Sequence, residues 1–168
     1  HGDWVNNGTF LPNSSTVTFH STASIGGTAT TTYHNVSIAA TGNVTTSSSI
    51  NVSGNWTNLG TFSASAGTVT FNGSAAQSMS GSNSFSGLAV NKATGNVTLA
   101  GTGSTTVTSD LNLSNGHISS STVNTLALGS STVTGGSANS FISGPITKTL
   151  AMAGSFAAPL GSIAANRY

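Results

Sequence analysis

Two stretches decide how this sequence is read: Gly2–Phe19, GDWVNNGTFLPNSSTVTF, and Gly54–Phe71, GNWTNLGTFSASAGTVTF. Trp4 falls on Trp56, Phe10 on Phe62 and Phe19 on Phe71. The match continues beyond them. Tyr33-x-x-Val36-x-Ile38 falls on Phe85-x-x-Leu88-x-Val90, and TGNVT at Thr41 on TGNVT at Thr94. INVSGNW at Ile50 has its counterpart in LNLSNGH at Leu111, after an insertion around AGTGSTTVTSD. An eroded third copy follows, where NTLALGSS at Asn124 resembles GTVTFNGS at Gly67. The chain is therefore an internal repeat with a period of about fifty to sixty residues, the signature of stacked architectures. Residues 1–150 form the repeat region, with units at about 2–53, 54–113 and 114–150. Residues 151–168 read as an irregular exit segment, and both ends read as cuts from a longer polypeptide.

Within each unit the apolar residues alternate: Val17 and Phe19, Val36 and Ile38, Ile50 and Val52, Leu111 and Leu113. Period two is the strand signature. The intervals hold Gly, Asn, Ser and Thr, which form turns. The one Ala-rich stretch, TLAMAGSFAAPLGSIAAN, is broken by Gly154, Pro159 and Gly161. Apolar pairs recur at about fifteen to twenty residues, a spacing that favours a coil over a meander of tight hairpins or a sandwich with a strand about every eight to twelve residues. The expected fold is all-β, a right-handed parallel β-helix that coils once in roughly twenty residues, with coils about 4.8 Å apart. Like side chains then stack on like, and Asn or Thr ladders line the faces. Tandem small β-sandwiches are the alternative.

Composition excludes several functions. Only 3% of residues are charged, against about 25% in an average soluble domain. Lys92, Lys148 and Arg167 are the only strong cations, so the clustered charge that nucleic acid requires is missing. No apolar run is long enough for a transmembrane helix. There is no cysteine, hence no disulfide or thiolate chemistry.

Candidate chemical groups are few. Asp3 and Asp110 are the only carboxylates, and glycoside hydrolysis needs a pair. The repeat replaces Asp3 by Asn55, which marks a turn or ladder position. His1, His20, His34 and His117 form no ligand motif. Neither a catalytic residue, a cofactor nor a metal is expected, and the reading is of a protein without enzymatic activity. The aromatic residues Trp4, Trp56, Phe10, Phe62, Phe19 and Phe71 recur in register as structural or stacking positions. They read as core columns, with a sugar-stacking platform as the functional alternative. Thr-x-Thr pairs at Thr16, Thr68, Thr106 and Thr132 raise the lesser possibility of an ice-binding face.

SGNWTNLGTFSASAGTVTFNGSAAQSMSG, FSGLAVNKATGNVTLAG, LNLSNGHI, NTLALGSS and FISGPITKTL together resemble a repeat of very large secreted bacterial surface proteins common in the Bacteroidota. The resemblance covers nearly the whole chain. It implies a parallel β-helical stalk or adhesin, exported across the outer membrane, often by the type IX route with a C-terminal sorting domain that this chain lacks. The functional expectation is an extracellular structural or adhesive segment, a stalk or filament. Its possible partners are further copies end to end and surface glycans. A glycan-binding module is the alternative.

Overall fold

The computed structural model describes residues 2–150 and 155–163; His1 and, within the exit segment, residues 151–154 and 164–168 lie outside them. The chain forms a parallel β-solenoid of about seven turns, about 21 residues each, with no helix among the described residues. Every pairing between its strands is parallel. Sandwiches of hairpins are therefore excluded.

Each turn crosses three faces. Face I carries Thr16–Phe19, Asn35–Ile38, Trp56–Asn58, Gln77–Ser80, Val97–Ala100, Ile118–Ser119 and Ile142–Ser143. Face II carries Trp4–Val5, Thr22–Gly26, Asn43–Thr46, Thr61–Ala64, Asn124–Ala127 and Ile146–Thr147. Face III carries Thr31–Tyr33, Ile50–Val52, Thr68–Phe71 and Thr132–Gly135. Two longer strands, Asn83–Asn91 and Gly103–Asn115, run from face II onto face III. Partners on face I, from Val17 and Val36 to Ile118 and Ile142, lie 19 to 24 residues apart. The variation falls in the corners, which is why strand spacing in the sequence looks irregular.

The inward side chains stack into columns. On face III, Ile50, Val69, Leu88 and Leu111 form one column, and Tyr33, Val52, Phe71, Val90 and Leu113 the next. All nine are buried. Each stabilises the fold by about 1.5–3 kcal/mol on leaving water. Outward positions repeat just as regularly: Ser24, Thr45, Ser63, Ser84 and Thr106 succeed one another on face II. Corners demand glycine where backbones nearly touch. A Cβ on Gly81, at φ 84°, would sit 1.8 Å from the Asn58 carbonyl oxygen of the preceding turn.

The sequence repeat and the coil are not commensurate. Trp4 lies on face II and Trp56 on face I. Thr16–Phe19 lies on face I and Thr68–Phe71 on face III. From first copy to second, the chain thus makes two turns and two further faces. Like phrases do not share a column. The insertion before Leu111 supplies the missing third of a turn, since Ile50 and Leu111 share the same column of face III.

Column packing should dominate stability. Leu111→Ala is expected to cost about 2–5 kcal/mol in urea unfolding, and Thr106→Ala, on the outside, less than about 0.5 kcal/mol. Equal losses would show that the columns do not carry the fold.

Candidate functional site

The repeated phrase builds the same object twice. Trp56 meets Phe62 edge-on, with centroids 4.7 Å apart and planes at 78°, and tilts against Phe85 at 5.9 Å. Trp4 meets Phe10 at 4.8 Å and 80°, and Tyr33 at 5.3 Å. Such edge contacts are favourable beyond the area they bury. The indole N–H is satisfied in both copies. Trp56 Nε1 donates to Asn83 Oδ1 at 2.8 Å, and Trp4 Nε1 to Thr31 Oγ1 at 3.3 Å. The same acceptor receives Asn58 Nδ2 in one copy and Asn6 Nδ2 in the other. Asn58 Oδ1 then accepts from Gly60 N at 3.0 Å, and Asn6 Oδ1 from Gly8 N at 3.1 Å. The phrase W-x-N-x-G-x-F is therefore an aromatic plug with its own polar clasp.

Trp56, Phe62, Phe71 and Phe19 are buried, so their rings face the core. Trp4 and Phe10 are half-buried, at the N-terminal end of the core. Asn6, Asn58, Thr31 and Asn83 were absent from the candidates drawn from sequence. Asn6 and Asn58 recur at the offset of the two tryptophans, and Thr31 and Asn83 are different residues at the same offset.

The carboxylates work between coils. Asp3 Oδ1 accepts from Ser24 N at 2.8 Å, and Asn55 Oδ1 accepts from Ser78 N at 2.8 Å. Asp and Asn thus do one job at equivalent positions. The Ser24 N–H also holds the Asp3 carboxyl below its usual range. Asp110 lies on face III and accepts from Thr132 Oγ1 at 2.8 Å. His20 is exposed, and His34 Nδ1 lies 3.1 Å from Ser53 Oγ. Among the described residues no three His, Cys, Asp or Glu side chains gather as metal ligands would.

Lys92 is the one buried charged side chain among the described residues. It is fully buried. Its Nζ donates to Gly73 O at 2.6 Å, Ala75 O at 2.7 Å and Gln77 Oε1 at 2.7 Å. Gln77 Oε1 also accepts from Gly73 N at 2.9 Å. The ammonium thus holds together the corner at 73–77 with no carboxylate beside it. Burial pulls its pKa below the usual lysine range. No protein-family model, curated protein or solved structure matches this chain.

Two outcomes follow from these clasps. Asn58→Ala leaves the Gly60 N–H without its acceptor and should cost about 1–3 kcal/mol in thermal or urea melts. For Lys92, the native state binds its proton more weakly than the unfolded chain does. The unfolded state therefore holds more protons between the lowered native pKa and 10.5, and stability gains with rising pH across that window. Urea melts should show wild type gaining relative to Lys92→Met as pH rises toward 10.5; a constant difference would place the proton elsewhere.

Proposed function

We propose that this chain is a non-enzymatic structural segment, a length of stalk or filament in an extracellular bacterial surface protein. The observation that carries this reading is the continuous parallel stacking of coils over about seven turns. Coils of this kind give a stiff body that lengthens by about 4.8 Å for each turn added. Its outer residues favour the same reading. Hydroxyls and carboxamides bind water without depending on salt, and a chain with three Lys or Arg and two Asp or Glu holds together with almost no ion pairing. Both carboxylates are engaged in hydrogen bonds between coils, a structural use of the only acids in the chain. The likeness to repeats of secreted Bacteroidota surface proteins adds the cell exterior to the proposal.

The strands Trp4–Val5, Thr16–Phe19 and Thr31–Tyr33 each have one edge without a strand partner among the described residues. The half-buried Trp4 and Phe10 lie at that end, where the second copy of the plug is covered by a coil. Such edges accept further strands, whether from a preceding coil of the same polypeptide or from another molecule.

Antibodies raised against the chain should label intact producing cells, and labelling confined to permeabilised cells would refute the assignment. Thermal melts should change by no more than a few degrees between low salt and about 1 M NaCl, because screening has few exposed charges to act on.

A further inference from the structure

We infer that the recessed corner at Asn115–His117, between faces III and I, is a binding site for a neutral sugar unit. The recess follows from unequal corner lengths. Asn91 pairs with Asn115 and Val97 with Ile118. Residues 92–96 therefore round the corner on one coil, where only Gly116 and His117 do so on the next. One coil further, Leu113 pairs with Gly135 and Ile118 with Ile142, so residues 136–141 stand against 114–117. A short corner is set between two long ones, and the result is a cleft of about 420 Å³.

The walls and floor are held in place. Ser137 N donates to Ser140 O at 2.8 Å, and Ser140 N returns to Ser137 O at 3.0 Å. Ser140 Oγ ties that wall to Gly116 O at 2.9 Å. The Thr94 hydroxyl anchors the opposite wall to Ser74 O. Gly116, at φ 84°, keeps the floor low, for a Cβ there would lie 3.0 Å from Lys92 Cβ. The His117 ring packs on Phe141 with centroids 3.9 Å apart.

The lining chemistry selects the ligand. Asn96, Asn115 and Asn139 line the cleft, and none of their carboxamides has a hydrogen-bond partner among the described residues. Each offers donors and an acceptor together, the pattern that adjacent sugar hydroxyls complement. His117 also lines the cleft, through the exposed part of its ring, while its Nδ1 is covered and has no hydrogen-bond partner among the described residues. Burial also holds the imidazole below the usual histidine range, so it is uncharged at neutral pH. Lys92 lies behind the cleft wall, fully buried, with its Nζ taken up by Gly73, Ala75 and Gln77. No charged group is presented to a carboxylate or phosphate, and no apolar wall to a lipid. The site is independent of the stalk assignment, since a rod needs no cleft at one corner.

The test is an amide NMR titration of the whole chain with glucose, galactose, mannose, N-acetylglucosamine and their short β-linked oligomers, alongside sulfate and glucuronic acid. At least one neutral sugar should shift the amides of 93–96, 115–117 and 137–140 saturably. Asn115→Ala and Asn139→Ala, whose side chains are exposed and make no hydrogen bond among the described residues, should each weaken binding about fivefold. His117→Phe, which keeps a ring on Phe141, should weaken it similarly, with amides of the face III columns unmoved in all three. Failure of every neutral sugar, shifts that survive the three variants, or a response to the anions alone would overturn the proposal. None of these results would bear on where the protein resides.

Discussion

Everything in this molecule depends on the lateral hydrogen bonding of each coil to the next in parallel register, interrupted only by local shifts such as those after Phe85 and Val90. That constraint fixes the spacing of successive coils and so brings each side chain over a counterpart. It is the reason a chain with so few large residues has a core. A column such as Val52, Phe71, Val90 and Leu113 is filled lengthwise, so bulk is not needed across the whole section. It also explains how the outside remains nearly free of charge. Asn35 Nδ2 reaches Thr16 Oγ1, and the Asn43 carboxamide takes the Thr61 hydroxyl, one coil to the next. Neutral groups do between coils what ion pairs do on other surfaces.

Much of the fold was legible because alternation survives in short strands. Val36 and Ile38, or Leu111 and Leu113, state their inward direction in three residues. Parallel stacking followed from the long intervals between them. The face assigned to each phrase was not legible. Two identical TVTF runs sit on different faces, because strand and corner geometry is alike on all three and the module brings its own clasp. Only corner lengths, summed along the chain, decide where a phrase lands.

The polar interior was the least visible part. Lys92 stands in the sequence as an ordinary surface lysine, beside Asn91 and Ala93. Its burial depends on the preceding coil, where Gly73, Ala75 and Gln77 turn their oxygens inward. That contact spans 15 to 19 residues and has no local signature. The recess at Gly116 is hidden for the same reason: it is a difference between neighbouring corners and belongs to no single segment. By contrast, the equivalence of Asp3 and Asn55 could be read directly, since the repeat sets the two side by side and each accepts one backbone N–H.

The mismatch between phrase and coil has a geometrical consequence for longer arrays. A unit of two and two-thirds turns, copied head to tail, would carry any ornament it bears one face backward at every copy. Three copies would bring it home. Marks made once per unit would therefore wind about the shaft like the stripe on a barber's pole, and a surface approaching from any compass bearing would meet one of them.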